Sequence, residues 1–107
     1  LLRGTLQRER LEAIVYPTSA GRPGPVGGGG ATWETPSATN LANLTGFPDL
    51  IVPAGFTGDR LPVGISFLGE AFSEPVLLGL GFAFETITRS RRDPATTPAL
   101  PGEIIGR

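Results

Sequence analysis

Three observations predict an α/β fold laid out as helix, strand, long loop, short helix, two strands, helix and tail. Apolar residues Val76, Leu77, Leu80, Phe84 and Ile87 recur at helical spacing. Short apolar runs bounded by Pro and Gly fall at residues 13–16, 50–53 and 63–68, the length and punctuation of strands. Between the first of these runs and the second, residues 19–37 hold Pro23, Pro25, Pro36 and four consecutive glycines, which is loop composition.

Residues 1–12 read as the last turns of a helix. Leu2, Leu6 and Leu11 supply the apolar positions, and Arg3, Gln7, Arg8, Glu9 and Arg10 the solvent side. No Ser, Thr, Asp or Asn precedes its first apolar residue, which is what a segment excised from a longer chain would show, as is a first residue other than Met. Residues 13–16, closed by Pro17, suit a buried strand of parallel type. The run Gly27–Gly30 is not a phosphate cradle, because Ala31-Thr32-Trp33 follows it where a Gly-Lys-Ser/Thr ending is required. It reads as a flexible linker.

Residues 38–44 form a short helix with Ser37 as N-cap, closed by Gly46 and Pro48. Residues 50–53 and 63–68 pair antiparallel, with Pro53 and Pro62 each removing a ladder donor and fixing where pairing ends. Gly55 and Gly58 supply the positive backbone angles of the connector. Residues 73–90 are the strongest helix. Ser73 is the N-cap, Glu74 faces the positive end of the dipole, Pro75 is tolerated in the first turn, and Arg89, Arg91 and Arg92 suit its C-terminal end. Gly79 and Gly81 each cost about 1 kcal/mol against Ala there, so a neighbouring element should approach closely. Phe67, Phe72, Phe82 and Phe84 are assigned to the core. From Asp93 onward the Pro- and Thr-rich tail is extended.

Composition narrows the function sharply. A chain of 107 residues is one domain's worth at most. Nine basic residues scatter among ten acidic ones, which excludes a nucleic-acid surface built on clustered positive charge. With no Cys there is neither a disulfide framework nor a thiolate metal site. No apolar run approaches the ~20 residues of a membrane span, and the first residues do not read as a signal peptide. A cytoplasmic protein is expected. His is absent, so no imidazole can activate a hydroxyl, and every cation is Arg, which stays protonated and cannot act as a base. Only carboxylates and Tyr16 remain for acid–base work, so the chain alone is not expected to catalyse a reaction.

Four residues are candidates for a substrate pocket. Thr18 and Ser19 follow a strand end, where α/β folds place ligand contacts. Trp33 either closes over a hydrophobic substrate or packs the loop onto the body. Asn43 either lines a pocket or bonds backbone at the helix-to-strand turn that Gly46 and Pro48 mark. Asp49 reads as a helix-terminal or backbone hydrogen-bonding group, and Glu34 as a solvated charge.

The residues with the most specific spacing are Asn43-Leu44-Thr45-Gly46-Phe47-Pro48, then Val52-Pro53-Ala54-Gly55-Phe56, then Leu61-Pro62-Val63-Gly64. This series resembles the late part of the amidase signature family, and Leu11-Glu12-Ala13-Ile14-Val15-Tyr16-Pro17-Thr18 resembles the family's Leu-Asp-Ala-Leu-x-x-Pro-Thr strand. Glu12 replaces the usual Asp, and Asp49 stands where a small residue is usual. The likeness covers residues 11–100. It implies a fragment of a large mixed-sheet fold, with residues 1–92 the C-terminal part of the amidase domain and 93–107 its tail.

It further implies a parent that hydrolyses amides with a serine nucleophile, a bridging serine in a cis peptide and a lysine, all upstream of this chain. No metal or organic cofactor is implied, and the partner is a small amide substrate bound by the parent. Neither Ser66 nor Ser73 matches the nucleophile. The segment would give structure and part of the pocket wall, and alone it should self-associate or need the N-terminal part. The alternatives are a non-catalytic binding or assembly module and an amidotransferase-subunit-like paralogue on the same fold.

Overall fold

A computed structural model describes residues 1–19, 21, 40–94 and 101–102. Its elements are α1 (Leu2–Arg8), β1 (Ile14–Pro17), α2 (Asn40–Thr45), β2 (Asp49–Phe56), β3 (Pro62–Leu68) and α3 (Glu74–Thr88). The order matches the α/β layout expected from the sequence; the Gly-rich run, Trp33, Glu34, Ser37 and most of the tail lie outside the described residues.

Helix α1 ends earlier than its apolar spacing suggests. Arg10 takes a left-handed φ of 53°, its N–H bonds Gln7 O at 3.3 Å, and Leu11 N–H bonds Leu6 O at 2.9 Å. This pair of bonds is the Schellman closure, which usually has Gly at the left-handed position. Arg at that place hides the stop from a sequence reading.

The strands form one sheet in the order β1-β3-β2, and both pairings are antiparallel. The parallel strand expected at residues 13–16 is therefore corrected. Burial alternates along β1 rather than covering it on both sides, and four residues are too few for composition to separate the two arrangements. The antiparallel pairing of β2 with β3 is as expected, but Pro53 does not end it. Pro53 pairs with Gly64 and the ladder resumes at Gly55–Val63 after a bulge. The missing proline donor falls where the bulge has already broken the ladder, and Gly55 absorbs the bend with φ 137°. In the connector, Arg60 rather than Gly58 takes the positive angle, at φ 67°. Thr57 closes that turn, with its N–H on Leu61 O at 2.9 Å and Leu61 N–H on its Oγ1 at 3.0 Å.

Helix α3 lies over β2 and β3. Val52, Phe67 and Leu77 form the core, with Leu50, Ile65, Leu80 and Phe84 packed against it. The Phe67 and Phe84 rings meet edge to face, with centroids 5.9 Å apart. Gly81 sits close to β2: a Cβ there would come within 2.5 Å of Leu50 Cδ2, so the Leu50 side chain would have to shift. Gly79 meets nothing within 4 Å, so the close approach expected of both glycines holds at one. Phe72 and Phe82 are not core; they are 92% and 74% exposed, and Val76 and Ile87 also face out. The apolar face toward the sheet is carried by Leu77, Leu80, Gly81 and Phe84, while the expected stripe ran on to positions that nothing covers among the described residues.

Ser73 stands at the N-cap position without capping by its side chain. Pro75, at the second helical position, has no N–H to offer, and Val76 N–H bonds Ser73 O at 2.9 Å. The hydroxyl instead sits against Gly69, buried and unpartnered.

Candidate functional site: the sheet face opposite α3

Side chains alternate across a strand, so the register assigns two faces. Leu50, Val52, Ile65 and Phe67 share the face under α3. Tyr16, Thr18, Asp49, Ile51, Gly64 and Ser66 share the other. Here Thr18, just past β1, continues the ladder, its N–H donating to Gly64 O at 3.1 Å.

A chain of side-chain hydrogen bonds runs across this second face. Tyr16 reaches over β3 and donates its hydroxyl to Asp49 Oδ2 at 2.7 Å. Ser66, completely buried, lies opposite Tyr16 and 2.9 Å from Thr18 Oγ1. Burial first, then the hydrogen bond to the Asp49 carboxylate and its charge, push the Tyr16 phenol up to about 12, against a weaker pull from Ser66. The phenol is thus a fixed neutral donor. Asp49 Oδ1 is buried with no hydrogen-bond partner. Asp49 therefore serves a side chain across the sheet, not the helix-terminal or backbone group expected of it.

Beyond Thr18 the sheet opens into a hollow of about 680 Å³, in the range of small-molecule pockets. Thr18 and Ser19 stand on one side, Ile51 and Pro53 of β2 on the other, and Gly64 of β3 between them. Val63 and Leu61 extend its mainly apolar lining. The two hydroxyl residues expected at a strand end are thus brought to one cavity. Asn43 is not among its lining residues; it is an exposed residue of α2. The turn that Asn43 was expected to hold is bonded by Thr45, whose Oγ1 donates to Leu41 O at 2.6 Å and accepts from Phe47 N–H at 3.3 Å. Trp33 lies outside the described residues.

A smaller hollow of about 340 Å³ is lined by Phe56, Thr57, Arg60 and Arg92, with the Arg92 guanidinium 5.4 Å from the Phe56 ring centroid. Among the described residues, no group of three or more His, Cys, Asp or Glu could hold a metal ion, and no helix is long and apolar enough to cross a membrane.

Ile51, Gly64 and the Tyr16–Asp49 pair were missed from sequence. The available signal was Gly64 within a strand pattern, which marks a close approach.

The family model described as Amidase matches residues 3–78, from α1 through the first turn of α3. The chain belongs to the amidase family. A glutamyl-tRNA(Gln) amidotransferase subunit of Desulforudis audaxviator (strain MP104C) is 48% identical over 67 residues, which are 62% of this chain and 13% of that protein. The native peptide amidase of Stenotrophomonas maltophilia superposes with a TM-score of 0.68 at 36% identity, over 81% of this chain and 17% of that one. PAM12A gives a TM-score of 0.70 at 34% identity, over 84% and 18% respectively. The chain thus spans less than a fifth of the length of these amidase-family proteins.

Proposed function

We propose that these residues are the C-terminal part of an amidase that hydrolyses carboxylic amides through a serine, a bridging serine and a lysine lying upstream of this chain. The segment supplies the sheet behind the reaction centre and, at Thr18, Ser19, Ile51 and Gly64, part of the substrate-pocket wall. Alone it is inactive. The observation that carries this reading is the hollow beside Thr18, within a stretch matched by the amidase family model and containing neither Lys nor His. Without Lys or His, the stretch lacks the amine or imidazole base that would activate a hydroxyl nucleophile in such a reaction.

The complete gene product should hydrolyse a panel of aliphatic and aryl amides, and residues 1–107 should not. Activity in the short chain, or none in the complete product, would end this reading. Among the described residues, nothing covers the outward side chains of α3 and no strand pairs with the outer edges of β1 and β2, which supports a second part of it: the isolated segment self-associates or requires the N-terminal part. A cooperative monomeric melt of residues 1–107 would contradict that. A cytoplasmic location belongs to the same proposal and is checked by fractionation.

The 48% identity to one component of an amidotransferase favours one alternative, a protein that acts only within an assembly. Amide hydrolysis seen only when further components are added would select it.

A further inference from the structure

We infer that Gly64, held between Thr18 and Ile51, sets how large an apolar acyl group the hollow admits and so determines which amides are cleaved; this rests on the amidase reading above. Gly64 is not required by its backbone, since it is not among the residues with positive φ. A glycine inside a strand weakens it, so its presence is better explained by the space it leaves. A Cβ at this position would come within 3.1 Å of both Ile51 Cγ2 and Thr18 Oγ1.

The two neighbours differ in their freedom to yield. Thr18 is pinned twice, by its N–H on Gly64 O at 3.1 Å and by Oγ1 at 2.9 Å from the fully buried Ser66. Ile51 is 51% exposed and its side chain has no hydrogen bond to hold it, so it yields more readily than Thr18. A methyl group at position 64 therefore fills the notch itself or drives Ile51 into the hollow. Either way the space shrinks. The neighbouring Pro53, Leu61 and Val63 make the lining apolar, which suits the hydrocarbon side of an aliphatic or aryl amide, not a charged group.

The test uses the complete gene product and its Gly64→Ala and Ile51→Ala variants. It reads kcat/KM for acetamide, butyramide and hexanamide, and hexanamide binding by calorimetry. The hexanamide-to-acetamide ratio of kcat/KM should fall about tenfold or more in Gly64→Ala, and rise in Ile51→Ala, as expected when a pocket changes by a methyl group or more. Ratios within twofold of wild type in both variants would overturn the inference while leaving the amidase reading intact. If the wild type cleaves none of the amides yet binds hexanamide, and Gly64→Ala weakens that binding about tenfold, the pocket stands and the amidase reading falls. Neither cleavage nor binding overturns both. Should Gly64→Ala fail to fold, Ile51→Ala at its half-exposed site decides the outcome.

Discussion

The two faces of one three-stranded sheet have been put to opposite uses. Under α3, Leu50, Val52, Ile65 and Phe67 meet a helix so closely that a Cβ on Gly81 would displace the Leu50 side chain. On the other face the same strands carry Tyr16, Asp49, Ser66 and Thr18 in hydrogen bonds, followed by the open hollow at Gly64. The first face binds by area and is intolerant of volume change. The second is held by directed hydrogen bonds, and it leaves the hollow beside Thr18 open. The residues that pack under α3 and those that face the hollow are separated by the alternation of the strand, one residue apart.

Truncating the packed face should have the largest effect. Leu77 is 2% exposed and touches both Val52 and Phe67 through the core, so Leu77→Ala should cost about 3 kcal/mol, within the usual span for a buried leucine. Urea unfolding of the complete gene product measures it, and hydrogen exchange of the β2 and β3 amides locates it in this sheet. A loss below about 1 kcal/mol would mean that α3 is not the principal cover of that face.

The two faces were not equally legible in the sequence. The packed face was largely readable, because helical and strand periods are local and place Leu77, Leu80 and Phe84 together. What local spacing missed was where cover ends: Phe72 and Phe82 looked like core and are exposed, since burial depends on elements that the spacing does not mention. The site face was readable only at Thr18 and Ser19, through their position after a strand. Tyr16–Asp49 and Thr18–Ser66 join residues far apart in the chain, and only the register brings them together. That register depends on β1 pairing antiparallel with β3, which the short run Ile14–Pro17 could not indicate.

A second change sharpens the contrast by adding volume. Gly81→Ala places a Cβ 2.5 Å from Leu50 Cδ2 and 3.3 Å from Val52 Cγ1. Better helix propensity contributes up to ~1 kcal/mol in its favour, but overpacking should exceed that, for a net loss of about 1 kcal/mol. A stabilised Gly81→Ala variant would show that Leu50 can move aside and that the packed face is looser than its contacts indicate. The same unfolding curve tests this.

On the site face, Tyr16→Phe removes the donor to Asp49 Oδ2 and leaves a carboxylate whose other oxygen is already buried and unpaired. The expected loss is about 1 kcal/mol near neutral pH. Its pH dependence is a clearer signature. The folded phenol is raised from 10.0 to about 12, so its neutral form is the one the fold favours. That contribution is fully present below about pH 10 and is lost as pH rises toward 12, where the unfolded chain ionises first. Wild-type stability should therefore fall across this window more steeply than that of Tyr16→Phe. Parallel curves would remove the Tyr16–Asp49 bond from the account of this face.

The smallest effect should come where neither face is involved. Arg3 of α1 pairs with Glu70 at 2.9 Å, beside Gln7 Nε2, which donates to the same carboxylate at 3.2 Å. Its guanidinium also lies 5.8 Å from the Phe47 ring centroid. One helical turn separates Arg3 from Gln7, so both tie the same side of α1 to the segment after β3. Because the Arg3 side chain is more than half exposed, water and salt screen the pair, and Gln7 keeps a bond to Glu70 when Arg3 is gone. Arg3→Ala should cost only ~0.5 kcal/mol, and less at 1 M salt. A loss comparable to that of Leu77→Ala would reverse the ranking. It would make the docking of α1, through the buried Leu6 that these polar contacts position, as important to the sheet as the cover given by α3.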